Sequence, residues 1–412
     1  MVGAQGQPGR VFGSVAPMPR IAPFPAIRYA PGTDLQQVIA PPYDVLSPAD
    51  VAELAARDPH NIIHIDVPSG GADRYALAAR TLEDWLGAGV LVRDEAPSLT
   101  VYRMSFTDAT GSARTIVGVL CGLEVVDLDA GGVLPHERTT PKAVTDRLDL
   151  TRATATNLSP VWGLSLASGL TAALGEPGEP VGEMVADGVV HTVERITDEA
   201  RIASITALLA ADDVLIADGH HRYAISRTYR DEVRAASGRT DTDAEFTLTF
   251  VNELVADQLS IEAIHRIYTD ICVDELRAVL AASFDVEPAP APTPQLLADM
   301  VELGRLVLLG PDTTEWLIPR EGVFDGVRAL DGAYLEHALA GSRAVVDYQH
   351  GLAEVVERVA AKDVTAAILI RPTSLAEIER TAREGLLMPP KSTFFTPKLR
   401  TGLVVRPTAP LG

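Results

Sequence analysis

An acid, two imidazoles and a guanidinium occur within five consecutive positions of the stretch "VLIADGHHRYAIS", residues 214–226. The apolar residues before Asp218 predict a buried strand, and the residues after Gly219 predict a helix that begins at this turn. Amides at a helix N-terminus favour an anion, and the Arg222 guanidinium can bind phosphate oxygens through two nitrogens. The residues of the predicted anion site are Gly219, His220, His221 and Arg222, with Asp218 preceding them.

Two alternatives to an anion site are a metal site and a plain helix start. Histidine and aspartate are common metal ligands. Side chains that are neighbours in sequence point about 100° apart on a helix, so His220 and His221 cannot easily share one ion. In the plain alternative, Asp218 caps the helix, and His221 and Arg222 are exposed surface residues. For the anion site, in contrast, we expect Arg222→Ala to lose phosphate binding while leaving the fold intact, because an exposed turn residue contributes little to stability.

Two further polar clusters and one acidic residue lie in predicted loops, where binding and catalytic groups are common. The clusters are "LPHERT", residues 134–139, and the proline-stiffened "PPKSTFFTPK", residues 389–398. Each has a plainer alternative. The first cluster could be a solvated helix entrance, the second a charged surface loop, and the acidic residue could simply close a turn. The candidate residues are His136, Glu137 and Arg138 in the first cluster, Lys391, Ser392 and Lys398 in the second, and Asp44 in "PPYD".

Charge and cysteine content limit the class of protein. The formal net charge of the 412-residue chain is −21, whereas nonspecific nucleic-acid binding needs clustered Lys and Arg, so we expect no nucleic-acid partner. Cys121 and Cys272 lie far apart in apolar surroundings, which favours free thiols in a reducing compartment. Neither a membrane span nor a secretory signal is indicated. We therefore expect a cytoplasmic protein without a membrane partner.

The periodicity predicts both helices and strands without a steady parallel β-α-β rhythm. Residues 98–127 predict an antiparallel hairpin, and "NIIHIDV", residues 61–67, predicts a strand. Ser47 and Pro48 predict a helix start, with serine as the cap and proline in the first turn. This pattern favours an α+β fold, a mixed sheet with packed helices, over a doubly wound parallel sheet.

Four segments occur in one order over nearly the whole chain: "VIAPPYDVLS", "LPHERT" with "DRLDLTRATATNLSPVWGL", "DGHHRYA" and "MPPKSTFFTPKLRTGL". Together they resemble domain-of-unknown-function family 1015. That family is similar to the ParB/sulfiredoxin superfamily, including its free serine kinases. The resemblance implies a ParB/sulfiredoxin-like core with extra α/β elements. It also implies a flexible tail over 1–19, a catalytic region over 20–270, and a C-terminal α/β region over 271–412 that contributes the loop at 389–398.

The resemblance implies transfer of a phosphoryl group from ATP, ADP or pyrophosphate to free L-serine, which gives O-phosphoserine. The turn at 219–222 and the loop residues Lys391, Ser392 and Lys398 would bind donor phosphates, and Asp218 would hold Mg²⁺ or orient the acceptor. His136 and Arg138 would form a second anion contact. Glu137 is a candidate base or metal contact, and Asp44 could serve in its place. The alternative function is a non-catalytic nucleotide-binding or small-molecule-binding protein.

Overall fold

The computed structural model describes residues 18–108, 111–127, 130–137, 144–389 and 391–410. Residues 1–17 of the predicted tail and Arg138 lie outside these ranges. The helices in the described ranges are α1 Leu35–Val38, α2 Pro48–Arg57, α3 Ile63–Asp66, α4 Arg74–Gly87, α5 Val144–Thr154, α6 Leu170–Ala173, α7 Glu199–Leu209, α8 His220–Ser237, α9 Val273–Leu280, α10 Pro294–Leu303, α11 Asp331–Ala338, α12 Leu352–Ala360 and α13 Leu375–Arg383.

The strands are distributed along the described chain from Ile21 to Pro407. They are β1 Ile21–Ala22, β2 Ile27–Tyr29, β3 Leu91–Arg93, β4 Leu99–Thr107, β5 Ala113–Glu124, β6 Val133–Leu134, β7 Thr156–Asn157, β8 Val161–Ser165, β9 Glu179–Ala186, β10 Val189–Ile196, β11 Val214–Asp218, β12 Phe246–Glu253, β13 Ser260–Glu262, β14 Ile264–Tyr268, β15 Phe284–Pro288, β16 Leu306–Leu309, β17 Thr314–Pro319, β18 Val346–His350, β19 Ala366–Leu369, β20 Phe394–Thr396 and β21 Arg406–Pro407.

The larger sheet is mixed. In the described part of the chain its strands follow the order β6-β11-β8-β12-β5-β4-β10-β9, and β1 also pairs with β5. The pairs β11 with β6 and β12 with β8 are parallel, whereas the other pairs are antiparallel. Helices pack around the sheet, so the predicted α+β class with a mixed sheet is confirmed. The predicted hairpin is formed by β4 and β5.

A second, antiparallel sheet is built from later residues, in the order β15-β17-β16-β19-β14-β18. It takes in Ile264–Tyr268 and therefore begins before the predicted boundary at residue 270. The chain then returns to the N-terminal region, where β20 pairs with β13 and β21 pairs with β7. This return places the loop at 389–398 beside the first sheet. Among the described residues, no helix is long and apolar enough to cross a membrane.

Local side-chain bonds explain where the predicted elements are right and where they are wrong. The helix predicted at Pro48 is present, with a reciprocal capping box between Ser47 and Asp50. The strand predicted over residues 61–67 is instead the short helix α3. The Asn61 side chain accepts a bond from the Ile63 amide at 3.0 Å and donates to the Gln37 carbonyl at 2.7 Å, so it fixes a turn there. Apolar runs that are buried on all sides do not distinguish a strand from a helix.

Candidate functional site

The predicted strand-turn-helix is present, with β11 ending at Asp218 and α8 beginning at His220. The pairing of β11 with β8 shifts register between Ile216 and Asp218, and such a bulge redirects the side chain that follows it. Gly219 has a φ of 85°. A Cβ on Gly219 would lie 3.2 Å from the Arg222 guanidinium carbon and 3.3 Å from the Val161 Cα. Glycine is therefore required here by both backbone conformation and packing.

Arg222 is buried, at 8% exposure, so the alternative of an exposed surface residue is wrong. Its Nη1 donates to the carbonyl of Pro160. Its Nη2 lies 3.2 Å from Asp218 Oδ2 and 3.7 Å from Asp44 Oδ2. Burial opposes the charge on Arg222, but Asp44 and Asp218 outweigh it and raise the pKa of the guanidinium. The expectation that Arg222→Ala leaves the fold intact is therefore corrected, since this side chain holds three segments together.

Lys398 completes the cluster from the far end of the sequence. Its Nζ lies 3.5 Å from Asp218 Oδ2 and 4.0 Å from the centroid of the Phe394 ring. Burial would raise the pKa of Asp218, but Lys398 and Arg222 outweigh it and hold that pKa below its usual range. Asp218 is therefore ionised at neutral pH. We call Asp44, Asp218, Arg222 and Lys398 the charged cluster.

His136 lies beside the charged cluster because β6 runs parallel to β11, so the residues that follow the two strands share one sheet edge. It is fully buried. Its Nδ1 lies 2.6 Å from the Ile216 carbonyl and its Nε2 lies 3.0 Å from the Thr393 hydroxyl. Burial lowers the pKa of His136 to about 4. A neutral ring with both nitrogens bonded cannot provide the second anion contact that was predicted for it.

His220 stacks edge-on against His136, with 4.8 Å between the ring centroids. Burial, followed by the neighbouring His136, holds the pKa of His220 well below its usual range. Its Nε2 is buried without a hydrogen-bond partner among the described residues. His220 is therefore a neutral ring at the start of α8, so any phosphate contact it makes is a hydrogen bond and not an ion pair. His221 is half-buried on the next position of α8.

Glu137 ties the "LPHERT" segment to the loop at 389–398. Its two carboxylate oxygens accept the amides of Lys391 and Ser392, at 2.8 and 3.2 Å. Burial raises the pKa of Glu137, although both amide bonds act against the rise. Lys391 has a φ of 59°, a conformation rarely adopted by residues other than glycine. Because both oxygens are bonded to the backbone, we assign Glu137 to holding this loop in place.

Lys391 and Ser392, at the start of this loop, were also predicted to bind the donor phosphates, but they are placed differently from Lys398. Ser392 is 6% exposed, and its hydroxyl donates to the Pro389 carbonyl at 2.7 Å. Its hydroxyl proton is thus already used inside the protein, which argues against the predicted phosphate contact. Lys391 is exposed, and its side chain forms no ion pair with another described residue. Of the three predicted loop residues, Lys398 is the one that joins the charged cluster.

Sequence reasoning missed two residues beside Arg222. Asp66, at the end of α3, is 2% exposed, and its Oδ1 lies 3.3 Å from Arg147 Nη1. Arg147, on α5, lies over the Tyr43 ring with its guanidinium carbon 4.3 Å from the ring centroid. Asp66 lies in the segment that was predicted as a strand. The family segment "DRLDLTR" includes Arg147, but nothing in its local pattern marks that position as part of a site.

The buried histidines predict that stability depends on pH. Burial lowers the pKa of His136, His191 and His265 to about 4. Between pH 4 and their ordinary value of 6.5, the unfolded chain binds more protons than the folded one, so stability falls as the pH falls. Each histidine contributes up to about 1.4 kcal/mol per pH unit in that range. We expect the unfolding free energy from urea titrations to be lower at pH 5 than at pH 7.5.

A pair of variants tests this assignment. His136→Gln should reduce the pH dependence, and the same replacement at His60, whose side chain is 44% exposed, is the control. An unfolding free energy equal at both pH values in the unaltered protein would show that the histidines are not held neutral by burial.

The chain belongs to the family described as protein of unknown function (DUF1015), whose family model matches residues 21–333. No curated protein matches the sequence. Solved structures that resemble it include a conserved hypothetical protein from Pyrococcus furiosus, with 12% identity over 66% of this chain and 92% of that chain and a TM-score of 0.37. Free serine kinase in complex with AMP shows 14% identity over 66% of this chain and 88% of that chain, with a TM-score of 0.37.

A third similar structure is SbnI with a C-terminal truncation from Staphylococcus aureus, with 14% identity over 66% of this chain and 83% of that chain and a TM-score of 0.36. The similar structures thus include a kinase in complex with AMP and a mutant of that kinase in complex with ADP. TM-scores this low carry no argument about the activity of this chain. The charged cluster therefore carries what can be inferred about function.

Proposed function

We propose that this protein is a phosphotransferase that moves a phosphoryl group from a nucleotide or pyrophosphate to the hydroxyl of a small molecule. The observation that carries the proposal is the convergence of Arg222 and Lys398 on Asp218 at the N-terminus of α8. Phosphoryl transfer needs mainly positioned positive charge for the phosphates, together with a group that accepts the proton of the nucleophile. The charged cluster offers both kinds of group. Free L-serine, giving O-phosphoserine, is the acceptor proposed from the family resemblance.

The donor phosphates would lie against Lys398, the Nη2 of Arg222 and the first amides of α8. Two of these groups carry full positive charge, and the helix N-terminus adds a partial one. Asp218, held ionised by the same two cations, keeps them oriented before the donor arrives. Donor binding would then replace part of the Asp218 contacts with phosphate contacts.

Asp44 is the proposed base. Its side chain is 42% exposed, and its Oδ2 lies 3.7 Å from the Arg222 Nη2. Asp218 is a weaker base because its pKa is lowered, and the oxygens of Glu137 are occupied by amides. The acceptor oxygen would attack the terminal phosphorus as the bond to the leaving phosphate oxygen breaks. The hydroxyl proton would pass to Asp44.

Mg²⁺ is proposed to enter with the donor. The described residues contain no group of three or more His, Cys, Asp or Glu side chains that could hold a metal. Mg²⁺ is commonly bound by one or two carboxylates together with substrate phosphates, so such a group is not required. Asp218, whose Oδ2 lies 3.2 Å from the Arg222 Nη2, could supply one of those carboxylates. Bound Mg²⁺ would neutralise charge on the donor phosphates.

A lysine pair in one loop tests the donor site. Lys398→Met should weaken ADP binding by about tenfold or more, since a hydrogen bond from a charged group contributes about 1.5–3 kcal/mol. Lys391→Met is the matched control, because Lys391 is exposed in the same loop and lies outside the charged cluster. Calorimetric titration with ADP measures both. Equal losses in the two variants, or none in either, would remove the donor site from the charged cluster.

The class of function is tested by donor consumption with and without L-serine. Consumption that requires both protein and L-serine supports the phosphotransferase. Binding of ADP without consumption of any donor would instead support the non-catalytic nucleotide-binding alternative.

A further inference from the structure

A small polar cavity lies beside Arg222. Its volume is about 50 Å³, and its lining includes Asp66, Arg147, Asn157, Ser159 and Arg222. This space exceeds the need of one water molecule, yet it is far below the roughly 300–1,000 Å³ of sites for drug-sized ligands. Any ligand here is therefore small, or inserts one small polar end.

Two buried atoms of this lining have no hydrogen-bond partner among the described residues, namely Asp66 Oδ2 and Arg222 Nε. Asp66 is 2% exposed, so its second oxygen is a buried acceptor without a donor. The Nη1 and Nη2 groups of Arg222 contact Pro160 and the two carboxylates, which leaves Nε as its unused donor. Buried polar atoms are nearly always bonded, so this pair of atoms points to a ligand.

The lining carries both signs of charge within this small volume. Arg147 and Arg222 are positive, and although burial raises the pKa of the Asp66 carboxyl, these two guanidiniums act against the rise. Arg147 is fixed in place, because its Nη1 also donates to the backbone carbonyl of Asp66 and its guanidinium lies over Tyr43. A complementary ligand must donate hydrogen bonds to Asp66 and accept them from the arginines. A molecule with an ammonium and a carboxylate on adjacent positions meets both requirements.

We propose that this cavity binds the ammonium and carboxylate groups of a small α-amino acid, with the ammonium on Asp66 and the carboxylate on Arg147 and the Nε of Arg222. This inference builds on the proposed function, since Arg222 belongs both to the cavity and to the charged cluster. An amino acid held there would lie against Tyr43, the neighbour of Asp44 in sequence, because Tyr43 also lines the cavity. The cavity would therefore select a zwitterionic acceptor over a simple alcohol.

Four probes test the ligand class in the unaltered protein by calorimetric titration: L-serine, L-alanine, ethanolamine and 3-hydroxypropionate. L-Alanine keeps both charged groups, ethanolamine lacks the carboxylate, and 3-hydroxypropionate lacks the ammonium. We expect L-serine and L-alanine to bind, and the other two to bind at least about tenfold more weakly, as the loss of one charged hydrogen bond implies. Equal affinities for all four, or no binding of any, would overturn the inference.

A matched pair of buried aspartates tests the residue. Asp66→Asn should lower L-alanine affinity about tenfold and remove its preference over 3-hydroxypropionate. Asp94→Asn is the control, because Asp94 is also buried and paired with an arginine, Arg28 at 2.5 Å, but does not line the cavity. Unchanged L-alanine affinity in folded Asp66→Asn would overturn the inference. If that variant does not fold, the four probes on the unaltered protein still decide.

ADP titration separates this inference from the proposed function. ADP binding without binding of any of the four probes contradicts the cavity assignment and leaves the donor site standing. L-Alanine binding without ADP binding or donor consumption contradicts the phosphotransferase and leaves the cavity assignment standing.

Discussion

Replacing Arg222 by alanine should remove donor binding and destabilise the fold together. The variant leaves the Pro160 carbonyl without its donor, Asp44 without its cation, and Asp218 with Lys398 as its remaining cation. Breaking a buried ion pair costs about 3–5 kcal/mol, and the lower value applies because both carboxylates are partly exposed. ADP affinity should fall at least about 100-fold, since two charged hydrogen bonds are lost. Urea unfolding and calorimetric titration with ADP measure the two effects.

Two variants separate charge from shape at this position. Arg222→Lys keeps the charge but loses the planar fork, so it should recover part of the stability and little of the ADP affinity. Arg227→Ala is the control on the same helix, outside the charged cluster, and should change both quantities little. Native stability in Arg222→Ala would show that the contacts with Pro160 and the carboxylates do not hold the segments together.

Replacing Asp44 by asparagine should abolish most turnover while donor binding is kept. Asparagine matches aspartate in size but cannot accept the proton of the acceptor hydroxyl. General-base catalysis contributes about 10²- to 10⁴-fold, so kcat should fall by that factor. ADP affinity should change less than about tenfold, because Arg222 and Lys398 remain in place. Steady-state kinetics with saturating donor and acceptor measures the loss.

The control for this variant is Asp73→Asn, since Asp73 is exposed and makes no side-chain cap bond. A kcat equal to that of the unaltered protein would exclude Asp44 as the base. A matching loss of ADP affinity and turnover would instead assign Asp44 to donor binding.

The local parts of the fold could be predicted from the sequence because each has a local cause. The capping box at Ser47, the hairpin of β4 and β5, and the glycine turn before α8 are each specified within a few residues. The strand predicted over residues 61–67 failed for the complementary reason. Its apolar run is buried on all sides, and the turn set by Asn61 decided its conformation.

The sequence predicted which residues belong to the candidate site better than it predicted the contacts between them. Asp44, Asp218, Arg222 and Lys398 were singled out as separate polar positions, and the structure brings them together. The burial of Arg222, and the bond from Glu137 to amides 254 and 255 residues away, depend on long-range packing that no local pattern encodes. Asp66 and Arg147 meet for the same reason, because α3 and α5 are distant in sequence.

Phosphorus-31 NMR of the purified protein with Mg²⁺ tests the central claim most directly, with ATP, ADP and pyrophosphate supplied in turn, each with and without L-serine. We predict a new phosphomonoester signal that requires the protein, one of these donors and L-serine, and that is lost in Asp44→Asn. Absence of that signal with every donor, in a folded sample that binds ADP, would contradict the phosphotransferase and support a nucleotide-binding protein.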